Sequence, residues 1–301
     1  MIPHRFDYVA PDSLAGCIEA LNTAAPAGGD GEDARVLAGG TWVLPEMSRA
    51  ESRPARLVDL RRAGLGGVTG TGSGLSVGAM CTYAELLASP DVLRHAPLLH
   101  TMAEGITGGW ALRSQATVGG SAVSARPQSD VPGALVACGA VARAVGPEGE
   151  RRFPVAELFA AAMHSSLLPG EVLTGFDVPS TAGAGSGYVK LKRGGSSWPI
   201  ATAAALVRLG DEGVCRQVSL VLGAVTATPL RVDVDAALVG TTPGDDGVRE
   251  AAHLAGAAVD EPWDDLLAPG SYRAAVAAPI ARRALTMALV AARTTIQETR
   301  A

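Results

Sequence analysis

The sequence predicts an α+β fold in which a two-subdomain α/β unit is followed by a C-terminal α+β domain. In the first 180 residues, short strand patterns alternate with amphipathic helical patterns. After residue 186, three long strand patterns precede the helical ones, which is typical of segregated strands and helices. Residues 181–187 between them are rich in Gly, Ala and Ser, and this composition favours a boundary. We therefore expect one domain over 1–180, with subdomains of about 1–60 and 61–180, and a second domain over 186–301.

The first subdomain is predicted to be a small βαβ-like unit. The apolar residues from Leu14 to Leu21 follow the i, i+3, i+4, i+7 spacing of a buried helix face. Asp12 or Ser13 stands immediately before them as the N-cap, because a short oxygen-bearing side chain can accept from the first free amides. The remaining predicted elements are a loop over 25–34 and strands over 36–37 and 57–60.

The second subdomain is predicted to mix strands with short helices. Thr82 and Glu85 have the spacing of a capping box, so a helix is expected to begin after Thr82. Residues 131–145 are apolar apart from Arg143 and are expected to be buried. The remaining predicted elements are a hairpin over 63–74, a strand over 75–79, helices over 97–106 and 154–162, and a strand over 171–179 that ends at a proline.

The C-terminal domain is predicted to be a three-stranded antiparallel sheet plus helices. Its strand patterns cover residues 188–192, 200–209 and 214–222. Helical patterns follow at about 231–239, 247–258 and 271–295, the last with Tyr272, Val276, Ile280 and Ala284 on one face.

Composition excludes several classes of protein. The 301 residues are 48% hydrophobic and 18% charged, which is typical of a globular chain. A net charge of −5 argues against binding to nucleic acid, which needs a basic face. No sequence stretch is expected to span a membrane, and the N-terminus lacks the apolar core of a signal peptide, so we expect a cytoplasmic protein. The four cysteines are isolated and the histidines have no ligand spacing, so no metal site is predicted.

Two glycine stretches carry the strongest functional signal. The stretch 116–121 is Ala-Thr-Val-Gly-Gly-Ser, and the stretch 37–43 is Leu-Ala-Gly-Gly-Thr-Trp-Val. Adjacent glycines let backbone N–H groups approach an anion without interference from Cβ atoms, and a helix that begins there adds free amides. Either stretch alone is more often a simple turn. Two of them about eighty residues apart suggest one bound molecule that contains a pyrophosphate.

Charged and aromatic residues near these stretches have two interpretations each. Asp130 either accepts a hydrogen bond from a sugar hydroxyl or caps a helix that begins near Val131, and spacing does not decide between them. The cluster Lys190, Lys192 and Arg193 provides a cation for an anionic cofactor or forms a solvated edge strand, the second being favoured for at least two of the three. The tryptophans Trp42, Trp110 and Trp198 stack on a bound ring or, as we favour, pack in the core or at an interface.

Nearly the whole chain resembles the flavin-binding medium subunit of molybdenum hydroxylases of the carbon monoxide dehydrogenase and xanthine dehydrogenase type. The likeness rests on short motifs spread from end to end. These are Phe6-Asp7-Tyr8 with Pro11, residues 38–41, Arg113 with 117–120, Pro127 with Ser129-Asp130, 171–173, 188–190, 222–225, 229–231, Tyr272-Arg273 and 283–285.

The resemblance implies non-covalently bound FAD and an oxidoreductase subunit that passes electrons from an iron–sulfur small subunit to an acceptor. A molybdopterin large subunit would oxidise the substrate, and no catalytic residue is assigned to this chain. The residues implied to bind FAD are Ala38, Gly39, Gly40, Thr41, Trp42, Val43, Thr117, Gly119, Gly120 and Ser121 at the pyrophosphate, Asp130 at sugar or ribityl hydroxyls, and Leu173 and Lys190 near the flavin or nucleotide.

Two alternatives stay open at the level of sequence, a standalone enzyme and a degenerate subunit that serves only as a scaffold. Ser114 and Ser121 stand where the family usually has Asn, and Trp42 stands where a small residue or Asp is common. Such changes suit a standalone FAD-dependent or repurposed biosynthetic enzyme that acts on its own small-molecule substrate. Co-purifying iron–sulfur and molybdopterin subunits would favour the relay, whereas turnover by the isolated chain would favour the alternative.

Overall fold

The computed structural model describes residues 1–23 and 34–300, so most of the loop expected over 25–34 lies outside the described residues. The first subdomain is a three-stranded parallel sheet with strand order β1-β3-β2, as the βαβ-like pattern predicts. Ser13 is the N-cap of its first helix, and its Oγ accepts from the amide of Gly16 at 3.1 Å. The elements are β1 Asp7–Val9, α1 Leu14–Asn22, β2 Arg35–Leu37, α2 Val43–Ser48 and β3 Arg56–Asp59.

The second subdomain is built on a five-stranded antiparallel sheet with strand order β4-β5-β10-β6-β7. Its elements are β4 Val68–Thr71, β5 Gly74–Gly78, α3 Tyr83–Ala88, α4 Pro90–His95, α5 Pro97–Glu104, α6 Gly109–Arg113, α7 Val118–Val123, α8 Asp130–Ala137, β6 Val141–Gly146, β7 Gly149–Pro154, a 3₁₀ helix Val155–Leu158, β8 Phe159–Ala161, β9 His164–Ser165 and β10 Val172–Pro179. The predicted capping box at Thr82 and Glu85 is confirmed.

One predicted helix of this subdomain is wrong. Residues 154–162 form a single 3₁₀ turn followed by strand β8, which pairs with β9. The Ala-rich composition favours a helix locally, but Val155 and Leu158 are buried in the subdomain core and Phe159 pairs with Ser165. Tertiary packing therefore overrides the local preference.

The C-terminal domain has a four-stranded antiparallel sheet with strand order β11-β12-β13-β14, rather than the predicted three strands. The additional strand occupies the start of the predicted helix 231–239, because Leu230–Val232 pairs with residues 220–222 and the helix begins only at Asp235. The elements are β11 Gly185–Lys192, β12 Pro199–Leu209, β13 Cys215–Gly223, β14 Leu230–Val232, α9 Asp235–Leu238, α10 Asp245–Ala257 and α11 Gly270–Arg300.

The C-terminal sheet lies between α11 and the second subdomain. On the α11 side, a Cβ atom at Gly187 would come within 2.1 Å of the carbonyl oxygen of Ala284, so the strand and helix backbones are in direct contact. On the other side, Tyr188, Leu206 and Val221 belong to the same buried cluster as the helices of the second subdomain. Alternate residues of each strand therefore serve two different cores.

The last helix corrects the expectation about membrane-spanning length. Residues 270–298 are long and apolar enough to cross a membrane by length and composition alone. In the structure this helix packs on β11 and β12, and the buried side chains of Ala277, Ile280, Ala284 and Leu285 form its inner face. Its apolar character is accounted for on that face by the core of the C-terminal domain.

Candidate functional site

Both glycine stretches line one cavity of about 620 Å³ between the first and second subdomains. This volume lies within the range of roughly 300–1,000 Å³ that is usual for ligand pockets. Eleven of the thirteen predicted site residues are in its wall, namely Ala38, Gly39, Gly40, Thr41, Trp42, Val43, Thr117, Gly119, Gly120, Ser121 and Leu173.

The first glycine loop, residues 38–42, connects β2 to α2 and leaves its amides available. Gly40 has a φ of +70°, which glycine adopts without strain. A Cβ atom at Gly39 would lie 2.0 Å from the carbonyl oxygen of Gln115, so the two glycine segments touch through their backbones. The backbone N–H groups of residues 39–42 donate to no group within residues 1–23 and 34–300. They are therefore free to donate to an anion in the cavity.

The second glycine loop, residues 117–121, differs from the expectation that its amides are free. The Gly119 amide donates to the carbonyl oxygen of Ala79 at 2.9 Å, and the Gly120 amide donates to Oγ1 of Thr117, the N-cap of α7, at 3.1 Å. The second loop therefore contributes mainly a backbone surface that a ligand can approach closely, and the amides of Gly119 and Gly120 are not free to bind it. A Cβ atom at Gly120 would lie 2.8 Å from Oγ1 of Thr117 and 3.5 Å from Cβ of Ala38, so a side chain there would fill the space between the two loops.

Two arginines and one glutamate form a charged wall that the sequence analysis missed. Glu46, which is almost fully buried, accepts from Arg126 and forms a salt bridge with Arg35 at 2.9 Å between Nη2 and Oε2. The three groups together carry one net positive charge, which favours an anionic ligand. The signal was weak in sequence because the three residues come from separate segments and form no motif.

Trp42 forms an aromatic contact across the domains. Its ring stacks on that of Trp198, with centroids 4.8 Å apart, and the guanidinium of Arg126 lies 3.9 Å above the Trp42 ring. Trp198 belongs to the connection between β11 and β12, so this contact joins the C-terminal domain to the first glycine loop. The packing expectation is confirmed for these two tryptophans, but Trp110 is 72% exposed and is not part of the core.

The other two predicted site residues, Asp130 and Lys190, lie outside the wall of the cavity. Nζ of Lys190 donates to Oδ2 of Asp130 at 2.8 Å and to the carbonyl oxygen of Gly105 at 3.0 Å, and the Tyr188 hydroxyl donates to Oδ1 at 2.6 Å. The capping interpretation of Asp130 is wrong, because Ser129 is the N-cap of α8 and Asp130 is already helical. Its contact with a nucleotide stays a prediction.

Burial dominates the electrostatics of this group. It raises the pKa of the Asp130 carboxyl, and Lys190 and Tyr188 counteract that effect by stabilising the carboxylate. Burial also raises the pKa of the Tyr188 hydroxyl well above its usual value, with the Asp130 charge acting in the same direction. Tyr188 therefore remains a neutral donor, and the group fixes the C-terminal sheet to the start of α8.

Comparison with known proteins identifies the family. The pattern described as the FAD binding domain in molybdopterin dehydrogenase matches residues 4–181, and that of the CO dehydrogenase flavoprotein C-terminal domain matches residues 186–288. The chain belongs to the family of FAD-binding medium subunits of molybdenum hydroxylases. This medium subunit is an oxidoreductase component, and its cofactor is FAD.

Two curated relatives match the medium subunit over almost its whole length. The carbon monoxide dehydrogenase medium chain of Afipia carboxidovorans is 33% identical over 96% of this chain and 98% of its own. The 6-hydroxypseudooxynicotine dehydrogenase complex subunit alpha of Paenarthrobacter nicotinovorans is 31% identical over 98% of each chain. A solved carbon monoxide dehydrogenase from Hydrogenophaga pseudoflava superposes with a TM-score of 0.90 at 33% identity, covering 96% of this chain and 99% of its own.

The residues around the cavity fit FAD. The free amides of residues 39–42 suit a pyrophosphate, and the absence of a Cβ atom at Gly120 keeps the space between the loops open. Apolar side chains of Leu21, Leu60, Met80 and Val172 line another part of the wall, where an aromatic ring system can be buried.

Proposed function

We propose that this medium subunit holds FAD along the cavity between its first two subdomains and passes electrons within a molybdenum hydroxylase complex. The observation that carries the proposal is that two glycine loops, far apart in sequence, line one continuous cavity. Ala38, Gly39, Gly40, Thr41, Trp42 and Val43 contact the pyrophosphate from one side, and Thr117, Gly119, Gly120 and Ser121 contact it from the other.

The protein side chains orient the cofactor and shield it from water. The amides of residues 39–42 donate to phosphate oxygens, and the wall formed by Arg35, Glu46 and Arg126 supplies the complementary charge. Leu173, at an irregularity in the pairing of β10 with β6, packs against the ring system. FAD supplies the ability to exchange electrons singly or in pairs.

Asp130 and Lys190 support the site from behind the cavity wall. The hydroxyl of Tyr83 donates to Oγ of Ser121 at 2.5 Å, which links the second glycine loop to α3. Tyr188 and Lys190 attach the C-terminal sheet to Asp130 at the start of α8. We propose that the Asp130 carboxylate reaches cofactor hydroxyls only through a small shift of this buried group.

The complex we propose contains an iron–sulfur small subunit as electron donor and a molybdopterin large subunit that oxidises the substrate. The relatives support this, since one is a subunit of a dehydrogenase complex and others are medium chains of dehydrogenases. The standalone alternative is not favoured, because the likeness covers nearly all of both chains.

A titration of the purified chain with FAD and FMN tests the cofactor site. We expect FAD to bind in a one-to-one ratio and FMN, which lacks the pyrophosphate, to bind much more weakly.

Gly120→Val should abolish FAD binding because its side chain fills the space between the loops. Gly120 has no positive φ, but a Cβ atom there would also lie 2.8 Å from Oγ1 of Thr117, so circular dichroism must first show that this variant is folded. Gly66→Val, at an open position without a positive φ, is the matched control. Full flavin occupancy in Gly120→Val would contradict the placement.

Affinity purification from the native source tests the relay separately. We expect two further subunits to co-purify, one containing iron–sulfur clusters detectable by electron paramagnetic resonance and one containing molybdenum detectable by elemental analysis. A chain that purifies alone and turns over a substrate without partners would overturn the relay but leave the FAD site intact.

A further inference from the structure

A second cavity, of about 260 Å³, lies between the C-terminal sheet and the second subdomain. Its floor is one face of the sheet, with Arg208 on β12, Ser219 on β13 and Arg231 on β14. The end of α8 and the connecting segment 179–184 form its other walls. The cavity shares no lining residue with the FAD site, and the proposed function assigns nothing to it.

The side chains that line this cavity carry a net positive charge, and no acidic side chain in the lining neutralises it. Arg208 and Arg231 both line it, and none of its lining residues is Asp or Glu. Within residues 1–23 and 34–300, neither guanidinium has a carboxylate within 4.0 Å. Nη1 of Arg208 donates to the carbonyl oxygen of Ala182 at 3.0 Å, and its other N–H groups remain available. Two guanidiniums on one cavity favour an anion between them.

The side chain of Ser219 independently indicates that this cavity lacks a hydrogen-bond acceptor. Its Oγ is buried and has no hydrogen-bond partner within the described residues. A buried hydroxyl without a partner is costly, and a rotation of the Ser219 side chain toward the cavity would let a ligand oxygen accept from it, which would be stabilising. The strand register puts the three residues on one face of the sheet with Ser219 between the arginines, because Arg208 is opposite Gln217 and Arg231 is opposite Val221, two residues to either side of Ser219.

We propose that this cavity binds a small phosphate-type oxyanion, held by Arg208 and Arg231 and by the hydroxyl of Ser219. Guanidinium groups match the oxygen geometry of phosphate, and the serine O–H supplies a further donor. The volume lies just below the usual range for larger organic ligands, so an anion of the size of inorganic phosphate fits better than a dinucleotide. A bound anion would connect the segment 179–184 to the C-terminal sheet and so stabilise the two domains against separation.

Calorimetric titration of FAD-saturated protein with inorganic phosphate, at constant ionic strength set by potassium chloride, tests the proposal. Saturation with FAD keeps phosphate out of the first cavity. We expect one saturable phosphate site per chain and a rise in melting temperature with phosphate. Arg231→Gln should weaken phosphate binding at least about tenfold, because a charged hydrogen bond is lost.

The control is Arg216→Gln, which removes the same charge from an exposed position outside the cavity wall. It should bind phosphate as the wild type does, and all variants should retain FAD. Ser219→Ala is a second variant in case Arg231→Gln does not fold, and it should also weaken binding. Absence of a saturable site, or equal loss of binding in Arg231→Gln and Arg216→Gln, would overturn the proposal.

Discussion

At the scale of single residues, the glycines of the site have different structural roles. Gly40 provides a left-handed turn with a φ of +70°. Gly39 allows contact between the two glycine segments, since a Cβ atom there would lie only 2.0 Å from the carbonyl oxygen of Gln115. Gly120 keeps the cavity open. Sequence alone suggests the same role for all three, namely access of an anion to the backbone.

Gly39→Ala tests the packing role. The added methyl group must push apart the backbone segments at residues 39 and 115, so we expect a loss of about 1–3 kcal/mol in the free energy of unfolding, as in other overpacked interiors. FAD occupancy after desalting should fall as well, because the free amides move. Gly66→Ala, where a Cβ atom would meet nothing within 4 Å, should stay within about 0.5 kcal/mol of the wild type. Equal stability of the two variants in thermal unfolding would contradict the close contact.

At the scale of elements, the connection between β11 and β12 acts as a bridge to the first subdomain. Trp198 at its end stacks on Trp42, and the guanidinium of Arg126 lies over the Trp42 ring. Lys192 closes the connection locally, since its Nζ donates to the carbonyl oxygen of Gly195 at 2.8 Å. The solvated interpretation of Lys192 and Arg193 is confirmed, because both are exposed.

A double-mutant cycle on Trp42 and Trp198 measures this bridge. We expect Trp42→Ala and Trp198→Ala to share a coupling free energy of about 0.5–1.5 kcal/mol in chemical unfolding, which is the range for stacked aromatic pairs. Trp198→Phe should retain most of the coupling because a ring remains available for stacking. Additive effects of the two alanine substitutions would show that the rings do not interact in solution.

At the scale of the whole molecule, the C-terminal domain and the second subdomain share one core. Leu206 and Val221 of the C-terminal sheet are buried together with Leu135 and Met102 of the second subdomain. The predicted boundary near residues 181–187 therefore does not coincide with a gap in the packing, and the division into domains 1–180 and 186–301 stays a prediction. We expect the two parts to unfold together.

Val221→Lys tests that coupling. Val221 is fully buried at the shared core, so an unpaired ammonium there should cost more than about 4 kcal/mol. Tryptophan fluorescence and circular dichroism should report coincident transitions in the wild type and separate or lost transitions in the variant. Val290→Lys on the 58% exposed face of α11 should change stability by no more than about 0.5 kcal/mol. A small effect of Val221→Lys would mean that the domains are independent.

The sequence by itself determined the alternation of elements, a helix cap at Asp12 or Ser13 and another at Thr82, the two glycine loops and the family, because these depend on spacing within short segments. The tertiary structure decided which amides are free, since the Gly119 amide donates to the carbonyl oxygen of Ala79, which directly follows β5. It also decided that Asp130 binds Lys190 and that Glu46 joins two arginines. These pairs link residues 11 to 80 positions apart, and local periodicity carries no information about contacts at such separations.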